Sequence, residues 1–159
     1  MSSGELLTRG SVWLALSLYT AGEIARTSPN RSKLSRYLNS LGCAAFLAHV
    51  AFAFQFHHHW SHEAAYEETA RQSAELIGWR WGGGLYLNYA FAAIWTFVAI
   101  AQWNGSRLQS SARWLVRGFF FFMILNGAVI FAKSPMRWFG LLLCVILAAC
   151  WWPRHNPTE

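Results

Sequence analysis

Long apolar stretches separated by short polar segments are the feature that most constrains how this chain can fold. A helix needs about 20 apolar residues to cross some 30 Å of hydrocarbon at about 1.5 Å per residue. Three stretches meet this length without a charge in their middle: residues 37–56, 85–103 and 114–132. A helix satisfies its own backbone hydrogen bonds in lipid. The sequence therefore predicts membrane-spanning helices at these three places.

Residues 6–25 and 136–152 are weaker candidates for membrane spans. The first carries Arg9 and Glu23 near its ends, and the second is short enough to cross only with little tilt. A cleaved signal peptide explains the first stretch less well, because no A-x-A site follows its apolar core. We therefore expect an all-α, multi-pass transmembrane helix bundle of about five spans, forming a single integral membrane domain over residues 1–159.

The composition agrees with a membrane protein and excludes several other classes. Hydrophobic residues make up 55% of the 159 residues and charged residues 13%, a charged share well below that of soluble proteins. The net charge of +6 does not indicate nucleic acid, since the basic residues flank apolar stretches and no nucleic-acid-binding motif accompanies them. Cys43, Cys144 and Cys150 lie within apolar stretches and form no CxxC motif, so they are interpreted as small apolar side chains.

Basic residues near the ends of the stretches orient the predicted spans. Lysine and arginine are enriched in cytoplasmic loops, and the charged residues of segments 26–36 and 107–117 are all basic. Segment 57–83 contains most of the glutamates and is expected outside. Lys133 and Arg137 lie in a predicted outer turn, against this rule, but long basic side chains reach the interface from helix ends. The expected location is the plasma membrane, with the amino terminus outside and the carboxyl terminus cytoplasmic.

Residues 62–77 are expected to form a short amphipathic helix on the outer face of the membrane. The segment is rich in the helix formers Ala, Glu, Gln and Arg. Its apolar residues recur along one face: Tyr66, Ala70, Ala74 and Ile77. Gly78 is expected to end this helix, because glycine adopts the left-handed conformation that follows many helices.

The outer end of the second span carries the densest group of metal-binding residue types. The candidate metal ligands are His58, His59, His62 and Glu63. If one helix continued through Trp60 and Ser61, the last three of these residues would lie within a 100° arc. Imidazoles with a carboxylate suit zinc, copper or iron. The competing interpretation is a set of solvated interfacial histidines, with Ser61 capping a new helix and breaking this geometry.

Familiar histidine-rich sites fit this sequence poorly. The HExxH motif of zinc proteases is absent. Only His49 and His155 lie outside the cluster, too few for the several histidine boxes of membrane di-iron enzymes. A haem held by two histidines would need a partner chain, since no other predicted span contains a histidine. A transition metal is therefore the only cofactor that the sequence suggests.

Polar residues within the predicted spans are the remaining candidates for function: His49, Gln55, Asn88 and Asn126. His49 is expected either to hydrogen-bond a neighbouring helix or to continue a proton or metal path from the outer histidines, which Gln55 would extend. The two asparagines are expected at similar depth. They would hydrogen-bond between helices, aided by close backbone approach at Gly127, or line an outer cavity with Tyr86 and Tyr89.

These features favour a non-catalytic multi-pass membrane protein, a small subunit or accessory protein that packs with itself as a homo-oligomer or with a larger complex. Nucleophile-elbow and phosphate-loop motifs are absent from the sequence. Glu23 is expected to form a local ion pair with Arg26 at the inner interface. The first alternative is a membrane metal-binding protein that uses the outer histidines and Glu63. The second is a small transporter in which His49 is the titrating residue.

Overall fold

Helices account for most of the described chain, which comprises residues 2–106, 108–132 and 134–152 of a computed structural model. Within these ranges the helices are α1 (Ser3–Arg26), α2 (Ser32–Ala53), α3 (His62–Ile77), α4 (Gly84–Trp103), α5 (Ser110–Leu125) and α6 (Met136–Trp151). A π-helical turn continues α2 over Phe54–His58, and a second continues α5 over Asn126–Ile130. The described ranges contain no strand, so the all-α class is confirmed. Lys133 and His155 lie outside the described residues, as does position 107 of the basic segment 107–117.

Three helical segments are long and apolar enough to cross a membrane: Ser32–His58, Gly84–Trp103 and Ser110–Ile130. They coincide with the three clearest apolar stretches of the sequence. Two of them begin earlier than expected, because the polar starts of α2 and α5 are already helical. Helix α6 is apolar but has 16 residues, and α1 has 24 residues with more polar side chains. An integral membrane protein is therefore the class that the helices support.

Consecutive helices of the bundle run in alternating directions. The start of α1 lies beside the end of α2, where Thr8 contacts His49. The start of α2 lies beside the end of α4, where the Trp103 indole donates a hydrogen bond to Ser40 at 2.8 Å. The chain ends of α3 therefore lie at the end of the bundle where α2 stops and α4 begins. We call this end the α3 end.

One aromatic core joins the helices, and Trp95 of α4 is at its centre with no exposed surface. Its ring centroid lies 5.4 Å from that of Tyr19 in α1 and 5.6 Å from that of Phe46 in α2. Phe120 of α5 lies at 5.4 Å, and the fully buried Leu147 of α6 belongs to the same cluster. Five helices thus share a single core, with α3 placed across one end.

Close approach between helices depends on two glycines that the sequence analysis did not single out. A Cβ at Gly42 of α2 would lie 3.1 Å from the Ala15 carbonyl oxygen of α1, and one at Gly140 of α6 would lie 2.4 Å from the Ala128 carbonyl oxygen. Gly127 was expected to allow such contact, but no atom lies within 4 Å of a Cβ built there. The expectation was wrong because the second π turn presents Ala128, the next residue, to α6.

Candidate functional site

The chain turns sharply between α2 and α3, so the histidine cluster does not lie on one helix. After the first π turn, His59 and Trp60 have φ angles of 49° and 59°, in the left-handed region that few residues other than glycine adopt. Ser61 then caps α3 by accepting a hydrogen bond from the Ala64 backbone N–H at 3.1 Å. The condition of one helix through Trp60 and Ser61 is not met, because these two backbone changes end α2 and begin a new helix. The cap at Ser61 that the competing interpretation predicted is confirmed.

The four candidate metal ligands are therefore distributed over two elements. His62 turns towards α4, where its Nδ1 lies 3.1 Å from the Tyr89 hydroxyl. His59 and Glu63 are exposed, and His58 belongs to the first π turn. In the part of the chain that the structure describes, no three His, Cys, Asp or Glu side chains are grouped so that they could hold a metal ion.

A cleft of about 840 Å³ lies at the α3 end, between α2, α3 and α4. We call it the α3 cleft. Helix α2 and its π turn contribute His49, His57 and His58, and α4 contributes Asn88 and Tyr89. A π turn holds more residues per turn than an α turn, so it rotates the side chains that follow. One alternative from the sequence was an outer cavity lined by Asn88, Asn126, Tyr86 and Tyr89. Asn88 and Tyr89 line the cleft, whereas Asn126 and Tyr86 do not belong to its lining.

The part of the α3 cleft that lies farther from α3, which we call its lower part, contains His49. The lining that α2 and its π turn contribute there is apolar: Phe46, Val50, Ala53 and Phe54. The Nδ1 atom of His49 lies 2.8 Å from the Thr8 carbonyl oxygen of α1. A carbonyl oxygen only accepts hydrogen bonds, so Nδ1 carries the hydrogen and donates. In the neutral ring, Nε2 is then the free acceptor. This is the interhelical hydrogen bond expected for an intramembrane histidine.

Charged residues of α3 and the following turn line the upper rim of the α3 cleft in opposite-charge pairs. Arg71 donates to both carboxylate oxygens of Glu68, at 2.6 and 3.0 Å, and also to Glu75. Arg80 forms an ion pair with Glu67. The hydrogen bonds from Arg71 lower the pKa of Glu68, and this carboxylate raises the pKa of Arg71. The four charged residues of α3 and the following turn that line the cleft, Glu67, Glu68, Arg71 and Arg80, therefore carry two charges of each sign, and Glu75 adds a further carboxylate outside the lining.

Two of the predicted intramembrane polar residues bond elsewhere. Gln55 accepts a hydrogen bond from the Trp60 indole at 2.8 Å, so it does not bridge His49 and the outer histidines. The amide of Asn126 donates to the Phe122 carbonyl oxygen at 2.8 Å, one turn earlier in its own helix. The cleft thus brings His49 near His57 and His58 without Gln55 and without Asn126.

Sequence reasoning missed a buried ionic cluster at the end of the bundle away from α3. The Glu23 side chain is 4% exposed. One carboxylate oxygen accepts from Arg117 Nη2 at 3.0 Å and from the Trp151 indole at 2.8 Å. The other lies 3.2 Å from Arg26. The local pair with Arg26 was expected, but the burial was not, because Arg117 and Trp151 are 94 and 128 residues away in sequence. The signal available in the sequence was the pair of opposite charges, Glu23 and Arg117, near the ends of two predicted spans.

A second polar contact inside the bundle joins α2 and α4. The indole of Trp95 donates to the Asn39 side chain at 3.1 Å, and the Asn39 amide lies 3.4 Å from the Gln102 side-chain oxygen. Asn39 is 3% exposed. Interhelical hydrogen bonds of this kind hold membrane helices together where apolar burial alone gives little driving force.

Comparison of the chain with protein-family models, with curated proteins and with solved structures found no match.

Proposed function

We propose that this chain is a five-span integral membrane protein that acts as a non-catalytic subunit or accessory protein of a membrane complex or homo-oligomer. In this proposal α1, α2, α4, α5 and α6 all cross the plasma membrane. The amino terminus and α3 lie outside, and the carboxyl terminus is cytoplasmic. Helix α3 lies on the outer membrane surface as an amphipathic helix.

The shared core is the observation that carries this proposal. Helices α1 and α6 pack with the three long apolar helices around Trp95, which supports placing all five in the same layer. Both also turn large apolar side chains outward: Leu14 of α1 is 54% exposed and Val145 of α6 is 65% exposed. Exposed apolar side chains of this kind favour contact with lipid or a protein partner.

The use of the buried polar groups supports a structural role. Glu23, Asn39 and His49 each bond a group on another helix. Among the described residues, no buried side-chain nitrogen or oxygen lacks a hydrogen-bond partner. These three side chains thus join helices of the bundle.

Accessibility of introduced cysteines tests the five-span topology. Single substitutions Ser2→Cys, Glu75→Cys and Ser134→Cys are expected to react with a membrane-impermeant maleimide on intact cells. Ser28→Cys, Ser106→Cys and Trp152→Cys are expected to react only after permeabilisation. The unsubstituted chain, whose own cysteines lie within helices, gives the background. Labelling of Ser2→Cys and Ser28→Cys from the same side would rule out α1 as a span. The pair Ser134→Cys and Trp152→Cys tests α6 in the same way.

Native mass spectrometry of the chain, released in lipid from its own membranes at its natural abundance, tests the subunit role. We expect a multiple of the 18.1 kDa chain, or the chain with a partner in fixed ratio. A single unaccompanied chain of 18.1 kDa under these conditions would contradict the subunit role and leave the topology unaffected.

A further inference from the structure

The α3 cleft has the properties of a small-molecule site, which goes beyond the proposed accessory role. Its volume of about 840 Å³ falls in the range of about 300–1,000 Å³ that is typical of ligand pockets. Its walls, α2 and α4, are two of the helices long and apolar enough to cross a membrane. A molecule dissolved in the bilayer is therefore the natural occupant to consider.

The cleft is apolar at one end and polar at the other. Phe46, Val50 and Ala53 of α2 line its lower part, whereas His58, Arg71 and Gln72 line its upper part. A matching occupant is amphipathic, with an apolar body below and a polar group above. Aromatic rings of Phe54 and Tyr89, whose centroids lie 6.4 Å apart, add flat surfaces that suit a ring or an extended chain.

His49 supplies a defined hydrogen-bond acceptor in the apolar part of the cleft. Its Nδ1 is used by the Thr8 carbonyl, which fixes the tautomer and leaves Nε2 with a lone pair. No described group forms a hydrogen bond with Nε2, whereas every buried side-chain nitrogen of the described residues has a partner. Nε2 is therefore not fully buried, and because His49 lines the cleft, we infer that Nε2 is accessible from it. A positive charge on the imidazole is costly at such depth. His49 therefore favours a ligand that donates a hydrogen bond without carrying a charge.

The rim disfavours a charged headgroup. Arg71 is bonded by Glu68 and Glu75, and Arg80 is bonded by Glu67. A phosphate or carboxylate would have to displace a carboxylate from one of these guanidinium groups, and a cation would have to displace an arginine. Within the cleft lining the charges balance, with the carboxylates of Glu67 and Glu68 paired to the guanidinium groups of Arg80 and Arg71, while Glu75 lies outside the lining. An uncharged polar group is therefore the better match to the lining.

We propose that the α3 cleft binds an uncharged amphipathic molecule bearing a hydroxyl group, and that this hydroxyl donates a hydrogen bond to Nε2 of His49. Long-chain phenols and long-chain alcohols share this chemistry. The apolar body packs against Phe46, Val50 and Ala53. Binding involves no covalent step.

Binding of matched hydroxyl and ether compounds to the full chain tests the proposal. The protein is placed in phosphatidylcholine nanodiscs, and saturable binding of radiolabelled para-octylphenol is measured above that of empty nanodiscs. Its methyl ether, para-octylanisole, has nearly the same shape but donates no hydrogen bond. Tetradecanol and its methyl ether form the aliphatic pair. We expect the hydroxyl compound of at least one pair to bind about tenfold more tightly than its ether, and the pair concerned identifies a phenolic or an aliphatic ligand.

Two variants then test whether the tighter binding of the hydroxyl compound depends on His49. His49→Leu removes the acceptor but keeps an apolar side chain, so we expect the preference for hydroxyl to disappear while the ethers still bind. Asn126→Ala, an intramembrane amide at the same end of the bundle and outside the cleft lining, is expected to retain the preference. Equal binding of hydroxyl and ether compounds, absence of saturable binding, or an unchanged preference in His49→Leu would each overturn the proposal. The wild-type comparison does not depend on any variant folding, and none of these outcomes bears on whether the chain belongs to a complex.

Discussion

Glu23 is the residue whose substitution we expect to matter most for stability among the charged groups of the bundle. Removing one partner of a buried ion pair typically costs about 3–5 kcal/mol, because the other charge is left uncompensated. We therefore expect Glu23→Ala to lower the free energy of unfolding in detergent by on the order of 3 kcal/mol, since Arg117 and the Trp151 indole lose their acceptor.

Glu5→Ala is the matched control for Glu23→Ala. Glu5 also pairs with an arginine in α1, Arg9 at 2.9 Å, but that arginine side chain is 57% exposed. Exposed pairs contribute about 0–1 kcal/mol, so little change is expected. Equal losses in the two variants would contradict the importance of burial at Glu23. In addition, Arg117→Leu combined with Glu23→Leu should cost less than the sum of the two single changes.

Gly140 is a second position where a single added atom, the Cβ, is expected to disturb the packing of α6 against the second π turn. The Cβ of Gly140→Ala would approach the Ala128 carbonyl oxygen to 2.4 Å, and backbone cannot move aside as a side chain does. We expect a loss of about 1–3 kcal/mol in the free energy of unfolding. Gly118→Ala in α5, where no atom lies within 4 Å of the new Cβ, should be neutral or stabilising by up to about 1 kcal/mol. A neutral Gly140→Ala would mean that α6 does not pack this closely.

At the scale of single elements, α3 is stabilised by ion pairs that depend on pH. Because the pKa of Glu68 is lower in the folded protein, the carboxylate contributes stability above the pKa of the unfolded chain, and this stability is lost as pH falls through the lower folded value. We expect α3 to lose local stability as the pH falls below the ordinary pKa of a glutamate, and the loss should be small since the pair is exposed to solvent. Hydrogen exchange of the α3 amides, corrected for intrinsic rates, measures this loss.

Glu68→Gln is the control for the acid response of α3. Glutamine keeps the length of the side chain but does not titrate, so the loss of local α3 stability at low pH should be smaller in this variant than in the wild type. Added salt should also reduce this pH-dependent loss in the wild type, because it screens the ion pair. An acid loss of the same size in Glu68→Gln would show that Glu68 is not responsible.

The elements also differ in how far the sequence predicts them. Helix formers, the Ser61 cap and Gly78 are local signals, and α3 begins and ends beside those two residues. The first π turn has no comparable signal, since Phe54–His58 contains no proline or glycine. The arc of His59, His62 and Glu63 required one helix through Trp60 and Ser61, and the left-handed backbone of His59 and Trp60 together with the Ser61 cap ends that helix. The cap was visible in the sequence, whereas the left-handed turn was not.

At the scale of the whole molecule, Trp95 connects four helices and its loss should weaken the entire bundle. Truncating a fully buried aromatic residue typically costs about 3–5 kcal/mol, and Trp95→Ala also leaves Asn39 without the indole donor. We expect a loss of that size in one cooperative transition. Phe97→Ala, in the same helix but 63% exposed, is expected to change stability by less than about 1 kcal/mol. Comparable losses in both variants would contradict a core centred on Trp95.

The length and hydropathy of a stretch are local properties, so the helical class and the three segments that can cross a membrane were predictable from the sequence. Which polar groups meet depends instead on how the helices pack. Glu23 with Arg117, His49 with Thr8, and the lining of the α3 cleft all join residues far apart in the chain. Their geometry follows from helix packing and from the π turn that rotates His57 and His58, and neither is encoded in the spacing of residues along one helix.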